Sequence, residues 1–153
     1  MIASEDIGPQ WSNRLNRFDV SRSSLSSGAE VLASWLSDDV GSKSAAQAFI
    51  RKLNEAAATN FGGYVGAGNS FHVRVASGRT FIENQFVDGQ SVLLKIEDAI
   101  ALLMEYGKFL DDARRGQSLP PNPIPVKFEM EGSLAMEFYL STGFPLGLIK
   151  RSW

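Results

Sequence analysis

The sequence predicts an α+β domain in which an antiparallel meander sheet is preceded by helices and covered by one long helix. Residues 61–94 form short alternating or β-branched runs punctuated by turn residues, the pattern of consecutive strands. On either side, 28–58 and 96–113 place apolar residues at helical spacing. At 153 residues and 44% hydrophobic composition, the chain has the size and apolar content of one domain with its own core. A single domain over 1–153 is therefore expected, with a Pro-rich connector at 117–125 inside it.

At the start of the chain, Trp11 to Val20 mixes apolar and polar residues without clean periodicity, and a short strand over 15–20 is the most it supports. The serine-rich segment 21–27 reads as a loop. Ser27 followed by Glu30 has capping-box spacing, in which hydroxyl and carboxylate each satisfy an orphan backbone N–H. A helix over 28–37 follows, with Leu32, Trp35 and Leu36 inward, ending before Asp38-Asp39-Val40-Gly41. Ser42 is the expected N-cap of a second helix to about residue 58, with Ala46, Phe49, Ile50, Leu53 and Ala57 on one stripe.

The period then changes. Residues 61–65 read as a strand, and Gly66-Ala67-Gly68-Asn69 as a turn tolerant of positive φ. Phe71, Val73 and Val75 alternate with His72 and Arg74, which predicts a strand with one wet face. Ser77-Gly78 turns the chain into a strand over 79–86, Val87-Asp88-Gly89-Gln90 closes the next hairpin, and 91–94 is a fourth run. From 96 to 113, Ile96, Ala99, Ile100, Leu103, Tyr106 and Leu110 share one helical face, and Arg114-Arg115-Gly116 supplies a cationic end and a cap. Four prolines in 120–125 forbid a helix interior there. Residues 126–130 alternate as a strand. The segment 133–140 suits both periods; it is taken as a strand pairing with 126–130 around Glu131-Gly132. The tail after Ser141 is apolar enough, with Phe144, Leu146, Leu148 and Ile149, to be expected to dock.

Composition excludes several chemistries. Without cysteine there is no disulfide, thiolate zinc site or thiol nucleophile, and a lone histidine, His72, cannot build a multi-histidine metal cage. His72 and Glu83 on adjacent strands are the one conceivable general-base pair. The glycines at 62, 63, 66 and 68 precede a strand, whereas a phosphate loop opens a helix; they read as a hairpin turn. Asp38-Asp39 and Asp111-Asp112 are carboxylate pairs at helix ends, a position where such pairs are usually solvated. No catalytic, cofactor-binding or metal-binding residue is assigned, so the expected protein is not an enzyme. The N-terminus has neither a basic segment nor an apolar run, and the longest apolar stretch, 99–104, is far short of a membrane span; the cytoplasm is the expected compartment.

Charge is the more informative property. The net charge is only −2, which argues against direct nucleic-acid binding. Within 81–112, however, Glu83, Asp88, Glu97, Asp98, Glu105, Asp111 and Asp112 face only Lys95 and Lys108, a local balance of −5. The remaining 13 basic and 10 acidic residues sum to +3. Those seven acids are the expected partner-binding residues, since such a surface speeds and orients docking of a basic partner.

Residues 71–86, F-H-V-R-V-A-S-G-R-T-F-I-E-N-Q-F, followed by S-V-L-L-K-I-E-D-A-I-A-L-L-M-E-Y-G-K-F-L-D-D from 91, resemble small bacterial immunity proteins of contact-dependent growth inhibition and related polymorphic toxin systems. In those, a hairpin with an I-E-N-like third strand leads into a helix of the form L-x-x-x-I-x-x-L-x-x-W-x-x-F-L; here Tyr106 stands at the tryptophan position. The resemblance implies a non-enzymatic inhibitor, held in the producing cell, that binds a cognate toxin domain, commonly a basic nuclease, and blocks its active site or substrate groove. A small acidic binding module such as a secretion chaperone is the alternative expectation.

Overall fold

A five-stranded antiparallel sheet, its three central strands buried on both faces, organises the chain. The computed structural model describes residues 2–12, 17–20, 25–59, 62–114 and 123–142, with the backbone alone at 9–12, 17–20 and 112–114. In chain order the elements are β1 (Ala3–Ile7), β2 (Pro9–Ser12), β3 (Arg17–Val20), α1 (Ser27–Asp39), α2 (Lys43–Thr59), β4 (Gly63–Ala67), β5 (Phe71–Ala76), β6 (Arg79–Asn84), β7 (Ser91–Lys95), α3 (Ile96–Arg114), β8 (Ile124–Phe128), β9 (Met130–Glu131) and α4 (Gly132–Ser141). The main sheet has the order β4-β5-β6-β7-β9; β1 pairs with β8, and β2 with β3, as two separate ribbons. This is the α+β meander architecture expected.

Local chemistry accounts for the junctions. At the β5–β6 turn, Ser77 and Gly78 both hold positive φ (52° and 75°), the two-residue hairpin geometry whose twist matches the flanking strands. The N-cap of α1 is Ser26, one residue before the expected Ser27: its Oγ accepts from Ala29 N at 3.4 Å, and Glu30 points to solvent. Ser42 caps α2 as expected, accepting from Ala45 N at 3.1 Å. On α2 the inward stripe is Ala46, Phe49, Leu53 and Ala56; Ala57 is exposed. Positive φ falls at Gly63 rather than at Gly66 or Gly68, and a register shift between Tyr64 and Gly66 bends β4.

Two layers cover the sheet. On one face Phe71, Val73, Val75, Ile82, Val92 and Leu94 join the core formed with α1, α2, α3 and the inward residues of β8, Ile124, Val126 and Phe128. On the other, Ala76, Phe81 and Leu93 pack under Ala135 and Tyr139 of α4, where the Phe81 and Tyr139 rings stack at 4.9 Å. This second layer overturns two expectations. Residues 133–140 are helical, because Gly132 at φ 64° ends the strand after Met130 and Glu131 have paired with Leu93 and Val92, and the following Leu, Ala, Met and Glu are good helix formers. Nor does the predicted wet face of β5 exist: all six residues of the strand are buried. The start of the 15–20 strand, the connector at 117–122, Arg115-Gly116 and the tail from 143 lie outside the described residues.

Candidate functional site

The strand register brings His72 directly opposite Glu83, as the sequence suggested, and then gives Glu83 to another partner. Arg74, diagonal to Glu83 across the same pair of strands, places Nη1 2.5 Å from Glu83 Oε1, with the two side chains 1% and 3% exposed. Each charge, withdrawn from water, is compensated by the other. The His72 ring lies edge-on to Tyr64 at 6.0 Å and is itself buried. Tyr139 closes over this group; its hydroxyl is pushed above the usual tyrosine range mainly by burial, against the pull of the Arg74 charge. The His72–Glu83 pairing is thus part of the sheet interior, built like a structural ion-pair cluster.

Glu83 therefore does not belong to a charged rim. The other predicted partner-binding residues divide between the two sides of the sheet. Glu97 and Glu105 are exposed and Asp98 is half-buried on α3, the helix of the first layer. Met104, 60% exposed, stands next to Glu105. Asp111 is drawn to α2, where Lys43 Nζ is 3.4 Å away. Asp112 also lies on α3, its side chain outside the described ones. Asp88 is exposed in the β6–β7 loop, on the side of α4. The −5 run is contiguous in sequence and not in space.

Among the other carboxylates, Asp39 accepts from Ser70 N at 3.0 Å and Phe71 N at 2.8 Å, pinning the β4–β5 turn to the end of α1. Burial raises its pKa above the ordinary carboxylate value, and those N–H groups oppose the rise. Glu131 Oε1 accepts from Gly28 N at 2.5 Å, and Glu5 Oε2 from Ser26 N at 3.2 Å, so two strands supply acceptors to the start of α1. These acids hold the fold together.

What remains is a cleft of about 240 Å³ between the β6–β7 loop and α4. Val87 and Met136 give it apolar walls, Glu83 reaches it from below, and Asp88, Ser133 and Glu137 add polar groups. The loop is shaped by Asn84, whose Oδ1 accepts from Phe86 N at 2.8 Å and Val87 N at 3.2 Å. That turn thrusts Phe86 outward, 74% exposed, while the outward side of α4 displays Leu134 and Leu140 around Glu137. Sequence reasoning missed Glu137, Phe86 and Leu134: a strand at 133–140 would have scattered the first and last over different surroundings. The signal that was present is the helical spacing of Leu134, Glu137 and Leu140.

Among the described residues, no group of three His, Asp or Glu side chains is placed to hold a metal ion, and no helix is long and apolar enough to cross a membrane. Comparisons with protein-family models, characterised proteins and solved structures give no match.

Proposed function

We propose that the chain is a binding protein of the immunity class, which neutralises a basic toxin domain by covering its active site or substrate groove. The observation that carries this reading is the conjunction of exposed apolar side chains with uncompensated carboxylates. Phe86, Val87 and Leu134 stand exposed near Asp88 and Glu137. No ion pair joins Asp88, Glu137, Glu97, Asp98 or Glu105 to a described residue, whereas Glu83 and Glu129 are paired inside the fold with Arg74 and Arg79. Aromatic and aliphatic anchors beside acidic groups suit a partner whose own surface is basic. Such a partner uses lysines and arginines to hold phosphates, and the carboxylates compete for them. The inhibitor acts in the cytoplasm, before the toxin leaves the cell, and needs no cofactor.

The test is co-expression with the protein encoded by the adjacent gene. Protection of the host and a co-purifying 1:1 complex support the reading; an adjacent product that is neither toxic nor bound overturns it. A second reading, a secretion chaperone, is favoured by Leu134 and Leu140, since such proteins dimerise through apolar faces. A stable dimer by sedimentation, with no toxic neighbour, selects it instead.

A further inference from the structure

We infer that the cleft between the β6–β7 loop and α4 receives an arginine side chain from the partner protein. The inference rests on the binding role proposed above and names the site and the group it recognises.

The cleft is mainly apolar, and apart from Glu83, whose charge is met by Arg74, the ionisable side chains that line it are the exposed acids Asp88 and Glu137. An apolar side chain would leave Asp88 and Glu137 to be desolvated without a partner, which is costly. A partner carboxylate would be repelled. The complementary occupant has an aliphatic stem and a cationic head, so that the stem lies on Val87 and Met136 while the head meets the acids. Two of the acids are on different elements, Asp88 on the hairpin loop and Glu137 on α4. A guanidinium offers five N–H donors in a planar fork and serves two acceptors at once, where an ammonium is a single compact charge. Phe86, exposed by the Asn84 turn and next in the chain to Val87 of the cleft wall, adds an aromatic ring to the same loop, a surface on which guanidinium stacks. The loop itself is braced: Asn84 Nδ2 donates to Gln90 Oε1 at 3.0 Å and Asn84 N to Gln90 O at 2.9 Å, so the walls are set before a partner arrives.

The probe is N-acetyl-arginine amide, titrated into the isotope-labelled full chain and followed by amide chemical shifts. Saturable shifts confined to Val87–Ser91 and Ser133–Glu137, absent with the neutral citrulline analogue, support the assignment. Asp88→Asn and Glu137→Gln should each weaken binding about tenfold, the loss of one charge-assisted hydrogen bond. Equal binding of the citrulline or lysine analogue, or shifts scattered over the surface, overturns it. Shifts of the same amides on diluting the protein alone would assign the cleft to a second copy and overturn the proposal. Because the probe is a free amino-acid derivative, its result is independent of whether the adjacent gene encodes a toxin. Fragment binding without a toxin complex would overturn the function alone.

Discussion

Replacing Glu83 by glutamine removes one charge from a pair that is out of water on both sides. Arg74 Nη1 lies 2.5 Å from Glu83 Oε1, and the residues are 1% and 2% exposed. Taking away one member strands the other ion in a medium that solvates it poorly, at a cost of about 3–5 kcal/mol. For a chain of this length each kcal/mol moves the melting temperature by roughly 2–4 °C, so Glu83→Gln should lower it by roughly 6–20 °C. Removing both charges at similar volume, Arg74→Met with Glu83→Leu, should restore most of the loss, because the desolvation cost disappears with the ions. Urea unfolding followed by fluorescence reads this directly, since Trp35 is fully buried and reports core exposure. Glu97→Gln is the control and should stay within about 0.5 kcal/mol of wild type. A Glu83→Gln cost under about 1 kcal/mol, indistinguishable from that control, would refute the reasoning and return Glu83 to the solvated surface.

Three further outcomes are expected. Glu131→Gln weakens the acceptor at the start of α1 and should cost about 1 kcal/mol in denaturant unfolding, with no change counting against the cap. Asp39 has a folded-state pKa above its unfolded value, so its contribution is full below about pH 4 and is lost as pH rises through the raised value. Stability of wild type relative to Asp39→Asn should therefore increase from pH 7 to pH 4; a constant difference would contradict the burial. Charge reversal at Glu97 and Asp98 should slow association with the proposed basic partner, most at low salt, and rates equal to wild type at all salts would remove α3 from the encounter surface.

Local pattern made much of the fold legible. The turn at Ser77-Gly78, the stripe from Ile96 to Leu110 and the cap at Ser42 each follow from residue types acting on their neighbours. The failures arise where a second layer decides. His72 and Arg74 alternate with Phe71, Val73 and Val75 as a solvated face would, yet both are interior residues, on the sheet face where Phe81 and Leu93 pack under α4. Because 133–140 fits both periods, its state depends on Gly132 and on where β9 stops pairing, which periodicity does not register. The same helix carries Glu137 to the β6–β7 loop, so the cleft was illegible for the reason the helix was. Charge counting merged Glu83, an interior ion, with Asp88, Glu97 and Glu105, which are exposed, and with Asp98 and Asp111, which are half-buried.

Calorimetric titration of the full chain with the product of the adjacent gene, the proposed toxin, repeated across salt concentrations, tests the central claim most directly. The account predicts a 1:1 complex of nanomolar affinity that weakens steadily as salt screens the carboxylates from a basic partner. An absence of binding at low salt, or an affinity indifferent to salt, would contradict it.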